Sequence, residues 1–205
     1  MPEFDLRRLE PFDAYRVLRG IVTPRPIALV TTLDADGRVN AAPFSFFNAL
    51  AFDPCLVGLG IEPRADGRPK DTSANIRDTG QFVVNMVDRA LAEQMNQCSA
   101  PLEPGDSEIE IAGLTLLPSL CVDPPRIAEA PAHLECRRHV TVQLGGRRDI
   151  VIGEVMRIGV REGLIDPESF AVDSHGLDLI ARLGGNRYAT TRETFTMRRP
   201  DGRHG

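Results

Sequence analysis

The 205-residue chain predicts a mainly β fold, a barrel of antiparallel strands with a few peripheral helices. Short β-branched runs recur along it, Gly, Pro and Asp turn signals separate them, and few stretches have helical composition. Periodicity alone does not separate such a barrel from a sandwich.

Residues 12–18 read as a short helical lead-in that ends at Gly20. Pro24 and Pro26 flank Arg25 and hold the entry extended, because a residue before proline avoids the α region. Residues 27–33 form an apolar, β-branched strand, 34–37 a hairpin turn with glycine at its end, and 39–44 the return strand. A third strand covers 56–61, and 63–69 is a Gly/Pro/charged loop. Asp71, Thr72 and Ser73 offer N-cap side chains to a short helix over 74–78, closed at Gly80. A strand follows over 81–87, and 89–100 has helical composition. After a polar connection at 101–107, strands are expected at 114–117, 132–142 and 150–160, the last two joined at Gly145 and Gly146. A short helix within 166–183 and a closing strand over 190–197 complete the chain. No internal repeat and no linker divides it, so residues 1–205 are expected to form a single domain, with 1–20 a lead-in and 198–205 flexible.

Bulk properties exclude several classes. The net charge of -5 and pI near 5.4 argue against nucleic acid or an anionic membrane as the main partner. No apolar run approaches the roughly 20 residues that span a bilayer, and residues 1–10 lack the apolar core of a signal peptide, so a cytoplasmic protein is expected. Cys55, Cys98, Cys121 and Cys136 are far apart, and His133, His139, His175 and His204 form no HxxxH or HExxH, so no metal site is expected.

The informative stretch is 23–48. Its return strand delivers Ser45, Phe46, Phe47 and Asn48, which alternate hydrogen-bonding groups with flat apolar rings and suit a planar, polar-edged ligand. This stretch resembles the opening of the flavin reductase-like family, whose members carry FMN on a split β-barrel. The likeness continues through Asp53-Pro-Cys-Leu-Val-Gly-Leu-Gly-Ile61, Lys70-Asp-Thr-Ser-Ala-Asn-Ile76 and Gly80-Gln-Phe-Val-Val-Asn85, and more faintly at His133-Leu-Glu-Cys136 and Arg182-Leu-Gly-Gly-Asn-Arg-Tyr188. The ordered set, rather than any one motif, is specific.

That resemblance implies an FMN-binding split β-barrel, Greek-key-like, and a homodimer with the flavin near the subunit boundary. FMN needs cations, hydroxyls or N–H groups for its phosphate, a flat slot for its ring system, and hydrogen bonds at the ring edge. Arg64, Arg68 and Lys70 supply charge, Thr72 and Ser73 hydroxyls, and the helix an N-terminus; the resemblance places Lys70, Asp71 and Thr72 beside the phosphate. A solvated charged loop before an ordinary capped helix is the bland alternative. For the ring, the resemblance points to Ser45, Phe46, Phe47 and Asn48, with Thr31 and Thr32 nearby. One of Phe46 and Phe47 is expected in the core, since adjacent strand residues face opposite ways. Asn85 is a candidate for the cofactor rim or a plain strand-end turn. His133 and Glu135 share a strand face and read as structural before catalytic. Arg187 and Tyr188 are the weakest carry-over, and Cys55 stands where relatives have a second proline. No acid–base constellation stands out, as expected where NADH or NADPH gives a hydride to flavin. The implied activity is an NAD(P)H-dependent flavin reductase serving a monooxygenase or other acceptor. An FMN electron-transfer protein, or an FMN enzyme that does not use nicotinamide, remains open.

Overall fold

The computed structural model describes residues 1–102, 106–145 and 148–198. A 3-10 turn at Leu6–Arg8 precedes helix α1 (Pro11–Ile21) and the strands β1 (Arg25–Pro26), β2 (Ala28–Leu33), β3 (Val39–Phe44), β4 (Phe47–Phe52) and β5 (Cys55–Ile61). Helix α2 (Asp71–Thr79), β6 (Gln81–Met86), α3 (Ala92–Gln97), α4 (Glu108–Ala112), β7 (Leu116–Leu117) and β8 (Arg126–Ile127) follow. The long strands β9 (Ala132–Leu144) and β10 (Arg148–Val160) lead to α5 (Ser174–Leu177), β11 (Ile180–Arg182) and β12 (Tyr188–Thr190).

Seven strands pair in the order β3-β2-β6-β9-β10-β5-β4, every pairing antiparallel. The two outermost strands, β3 and β4, are consecutive in the chain, separated by Ser45 and Phe46 alone. Both ends of the sheet therefore meet at one corner, where Gly60 N–H donates to the Phe46 carbonyl at 2.7 Å. Glycine eases that approach, since a Cβ at Gly60 would lie a tight 3.0 Å from the Cβ of Phe46. The sheet rolls up as the split barrel expected from the sequence.

Strand β2 is buried on both sides, which is why it reads as a continuous apolar run. Ala28 and Val30 join Phe44, Leu59, Phe82, Val84, Cys136 and Val151 in one core cluster, with Ile76 added from α2. The alternate positions Ile27 and Leu29 join a second cluster with Leu91, Met95, Ile109 and Ile127, under α3 and α4. Buried polar side chains fasten the loops to this frame. Glu135, fully buried, accepts the N–H groups of Leu120 and Cys121. Asp88 caps the start of the α3 region by accepting Leu91 N–H at 2.8 Å.

Several boundaries differ from those expected. Strand β4 occupies 47–52, where the sequence shows only a ligand-presenting row; its pairing to β5 in the register Phe47↔Leu59 makes it a strand. The side chains of Asp71, Thr72 and Ser73 do not cap α2: Asp71 is the first helical residue, and the N-cap is Lys70, with no side-chain cap bond. The expected C-terminal stop is found, Gly80 taking the left-handed conformation at φ 71°. Helix α3 is shorter than 89–100, and α4 was not foreseen. The expected closing strand at 190–197 is replaced by β12, which pairs only with β11. The turn at Gly145 and Gly146 falls partly outside the described residues, as does most of 198–205. No described helix is long and apolar enough to cross a membrane.

Gly153 tests how tightly the barrel is filled, because a Cβ there would lie 2.3 Å from Phe82 Cζ inside the core. Gly153→Ala is expected to cost about 1–3 kcal/mol in a urea melt. Phe82→Leu in the same chain should recover part of that loss, so the two changes together should cost less than their sum.

Candidate functional site

Strand β3 connects two polar regions of the surface. At one end Asn40 Nδ2 donates to Thr72 Oγ1 at 2.9 Å, tying the strand to the first turn of α2. Thr32 Oγ1 accepts Asn75 Nδ2 at 3.0 Å and lies 3.5 Å from Asn40 Nδ2, so Thr32, Asn40, Thr72 and Asn75 form one buried network under the helix start. Ser73 donates to the Asp149 carboxylate, anchoring the same turn to β10. Above it, Lys70 Nζ lies 5.4 Å from the Phe44 ring centroid, and Arg64 pairs with Asp71. Arg68 turns aside to Asp66. Half-buried Glu108 faces this group from α4; burial pushes its carboxyl up, Asp71 adds to the shift and Arg64 opposes it.

The uncapped start of a nine-residue helix, with Lys70 and Arg64 beside it, is suited to a phosphate. The residues present are compatible with that end of an FMN, which Lys70 and the first-turn N–H groups could hold.

At its other end β3 delivers Phe44 and Ser45 to a groove. One lobe, of about 170 Å³, is lined by Tyr15, Arg19, Arg25, Phe44 and Ser45 among others. A second lobe, of about 690 Å³, extends past Arg89, Glu93, Asn186 and Thr190. The two share Met95, Asn96, Ser99, Arg182 and Tyr188 as lining and are parts of one groove. Phe44 thus touches both the Lys70 region and the groove, about 13 Å of strand separating it from Asn40.

Arg25 organises the groove wall. Its Nη1 donates to the carbonyls of Arg19 at 2.6 Å and Val22 at 2.5 Å, and Nη2 to that of Leu183 at 3.3 Å. Its Nε lies 3.5 Å from Ser45 Oγ. This one side chain therefore joins the C-terminal end of α1, the end of β11 and the barrel corner. Burial lowers its pKa from the ordinary arginine value; Tyr15 opposes that shift, and the charges of Arg182 and Arg19 add to it. Tyr15 stands on the Phe46 ring edge-on at 6.2 Å, and Arg19 lies 4.8 Å over the Tyr15 ring.

Residues 19–175 match the family model described as the flavin reductase like domain. The chain belongs to that family. YwrF of Bacillus subtilis is 40% identical over 202 residues, covering 96% of this chain and 98% of its own. Nitrilotriacetate monooxygenase component B from Bacillus cereus superposes with a TM-score of 0.91 at 35% identity, over 96% of this chain and 98% of that one. The 2-nitrobenzoate 2-nitroreductase NbaA of Pseudomonas fluorescens gives 0.90 at 37% identity, over 97% and 96%.

Within this flavin reductase-like domain the sequence-selected residues divide. Thr32, Arg64, Lys70, Asp71 and Thr72 converge on the helix start, and Ser45 and Phe46 on the corner. Phe47 packs against the barrel core, so one ring of the pair is in the core and the other beside Tyr15 and Arg25, as the alternation predicts. Asn48 is exposed on the edge strand, its Oδ1 accepting Ala49 N–H at 2.9 Å. Thr31 and Asn85 are held by partners inside the protein. Both are fully buried; Thr31 donates to the Pro125 carbonyl, and Asn85 Nδ2 donates to the Leu29 carbonyl at 3.0 Å while its Oδ1 accepts Ile127 N–H at 2.8 Å. Asn85 is the penultimate residue of β6, and both ends of its side-chain amide are engaged inside the protein.

His133 and Glu135 share a strand face and contact each other. Glu135 holds the 120–121 backbone, and His133 Nε2 lies 3.8 Å from its Oε1. Burial, then Arg126, pulls the His133 pKa down. Tyr188 lines the groove and accepts a hydrogen bond from Arg182, whereas Arg187 lies outside it. Burial pushes the Cys98 thiol up to about 11 and raises Cys136 further, so neither is a thiolate near neutral pH. Among the described residues no group of three or more His, Cys, Asp or Glu could hold a metal.

Sequence reasoning missed Tyr15, Arg19, Asn40 and the clamp role of Arg25. Only Pro24 and Pro26 around Arg25 offered a signal, by fixing where that side chain leaves the backbone.

Asn85→Ala should cost about 2–4 kcal/mol in chemical denaturation, because it strips a buried N–H and two buried acceptors of their partner. Flavin affinity measured where the variant is still folded should be unchanged.

Proposed function

We propose that this chain is an FMN-dependent reductase taking electrons from NADH or NADPH. The observation that carries the reading is the continuity of β3 from an uncapped, cation-flanked helix start to the Ser45 corner on the groove. A phosphate at Lys70 and Thr72 would leave a flat ring system at Phe44, Ser45 and Phe46, with Thr32 and Asn40 holding the helix start in place from below. FMN held there would supply the hydride-transfer chemistry. The chain's own residues would bind and orient it, and the groove beside Ser45 would admit the second reactant.

The similarity to a monooxygenase component B supports a role in delivering reduced flavin or electrons to an oxygenase partner. A second reading has the groove admit an organic substrate reduced on the bound flavin, and the likeness to a nitroreductase supports it. The electron-carrier reading has no comparable support from the groove, which is open.

A homodimer fits the surface. Val140, Val142, Leu144, Ile150, Met156 and Ile158 on β9 and β10, together with Leu50 and Phe52 on the edge strand β4, leave large apolar side chains exposed. Ile158→Lys is expected to shift the sedimentation profile from dimer towards monomer.

Anaerobic titration of the FMN-equilibrated, desalted protein with NADH and then NADPH tests the activity. Rapid bleaching of a retained flavin band supports the reductase and identifies its donor; a band that resists both donors refutes it. Lys70→Ala should weaken FMN binding by about 1–3 kcal/mol, the loss of one charged contact. The fold should be unaffected, as Lys70 makes no ion pair among the described residues. Unchanged affinity would remove the helix start from the site.

A further inference from the structure

Three carboxylates are buried among the described residues, and two of them are fully partnered. Glu135 accepts the Leu120 and Cys121 N–H groups, and Asp88 accepts Leu91 N–H with Arg161 3.6 Å away. The third, Asp149 in β10, is 6% exposed and has neither arrangement. One of its oxygens accepts the Ser73 hydroxyl, and the other, Oδ1, has no hydrogen-bond partner. Among the described residues it makes no ion pair. The adjacent Arg148 is directed instead to Glu62 and the Gly145 carbonyl.

Burying an ionised carboxylate without a cation is costly, so another source of positive potential must offset its charge. One is in contact with it. Ser73 is the third residue of α2, so Asp149 lies against the first turn of that helix, whose backbone N–H groups have no side-chain cap. The ordinary explanation of the Ser73 bond is a tie between α2 and β10, and the tie exists. A tie alone needs no charge, however. Asn40 fastens Thr72, and Asn75 fastens Thr32, at the same helix start through neutral groups.

We infer that Asp149 is a built-in counter-ion of the α2 start, competing with a ligand's phosphate for the same positive potential and so holding flavin phosphate loosely. This rests on the flavin reading, which puts the FMN phosphate at that helix start. Charges in a buried setting are little screened, so the opposition acts over several ångströms without contact. The phosphate then adds little to affinity, and the flavin exchanges rather than staying resident.

Fluorescence titration of the flavin-stripped full chain with FMN and with riboflavin, which lacks the phosphate, tests this, together with thermal unfolding of the ligand-free protein. Wild type should hold FMN no more than about tenfold tighter than riboflavin. Asp149→Asn keeps an acceptor for the Ser73 hydroxyl and removes the charge. It should bind FMN about three- to tenfold more tightly, bind riboflavin within about twofold of wild type, and melt a few degrees lower without ligand. A residue that only supports the fold would lower affinity and melting temperature together. Ser73→Ala breaks the tie but leaves the charge, so it should melt lower without tightening FMN. The inference fails if Asp149→Asn binds FMN no more tightly than wild type, if riboflavin tightens equally, or if the ligand-free variant melts higher. It fails also if Ser73→Ala tightens FMN as much, or if wild type prefers FMN over riboflavin by more than about tenfold, a result that needs no variant to fold. If wild type binds neither flavin, the flavin reading fails by itself. Calorimetry with inorganic pyrophosphate then decides the counter-ion: tighter binding by Asp149→Asn supports it, and equal binding or none overturns it.

Discussion

Everything in this molecule depends on how the sheet closes at Ser45 and Phe46. An open seven-stranded sheet would leave two rows of unpaired backbone groups, and burying them without partners would be costly. Here both outermost strands belong to one continuous stretch of chain, and the bond from Gly60 N–H to the Phe46 carbonyl carries the β4–β5 pairing up to the corner. Closure forces small residues where strands cross closely: Gly58 lies under Leu50, Gly60 under Phe46 and Gly153 against Phe82. It also forces the chain to change direction at a surface position, which exposes Ser45 and places the Phe46 ring against Tyr15. The candidate site is a by-product of that closure, because groups that turn a corner cannot all be absorbed by strand pairing.

Around the corner the molecule uses charge in two different ways. At the start of α2, Arg64 and Asp71 neutralise each other and leave Lys70 beside the unpaired first-turn N–H groups. In the groove, guanidiniums are supported by carbonyls and rings, so their positive field persists. Strand β3 carries both.

The sequence showed the barrel because strand periodicity, turn residues and the β2–β3 hairpin are local signals. It marked a helix near Asp71, Thr72 and Ser73 by their capping side chains, although the helix begins at Asp71 rather than after them. Strand β4 escaped because its side chains are mostly exposed and its identity comes from pairing with β5, which no local pattern records. The partners of Thr31 and Asn85 escaped for a related reason. A polar residue in an apolar strand looks the same whether it faces a ligand or a distant backbone, and here their partners are Pro125 and Ile127, far along the chain. The groove was hidden because its walls come from α1, α3, β3 and β11–β12, segments joined only in three dimensions.

The β9–β10 pair has a consequence for how the chain avoids going wrong. It is a ribbon of two 13-residue strands with apolar side chains left uncovered along it, the kind of segment that can slide by two residues and re-pair without reversing its faces. Its ladder is broken twice, between Ile152 and Gly153 and between Val155 and Arg157. Each irregularity fits one alignment only, so a slipped ribbon would have to bury a misplaced bulge. The bulges thus act as a ratchet against mispairing, and the apolar face they keep in register stays aligned before any covering surface reaches it.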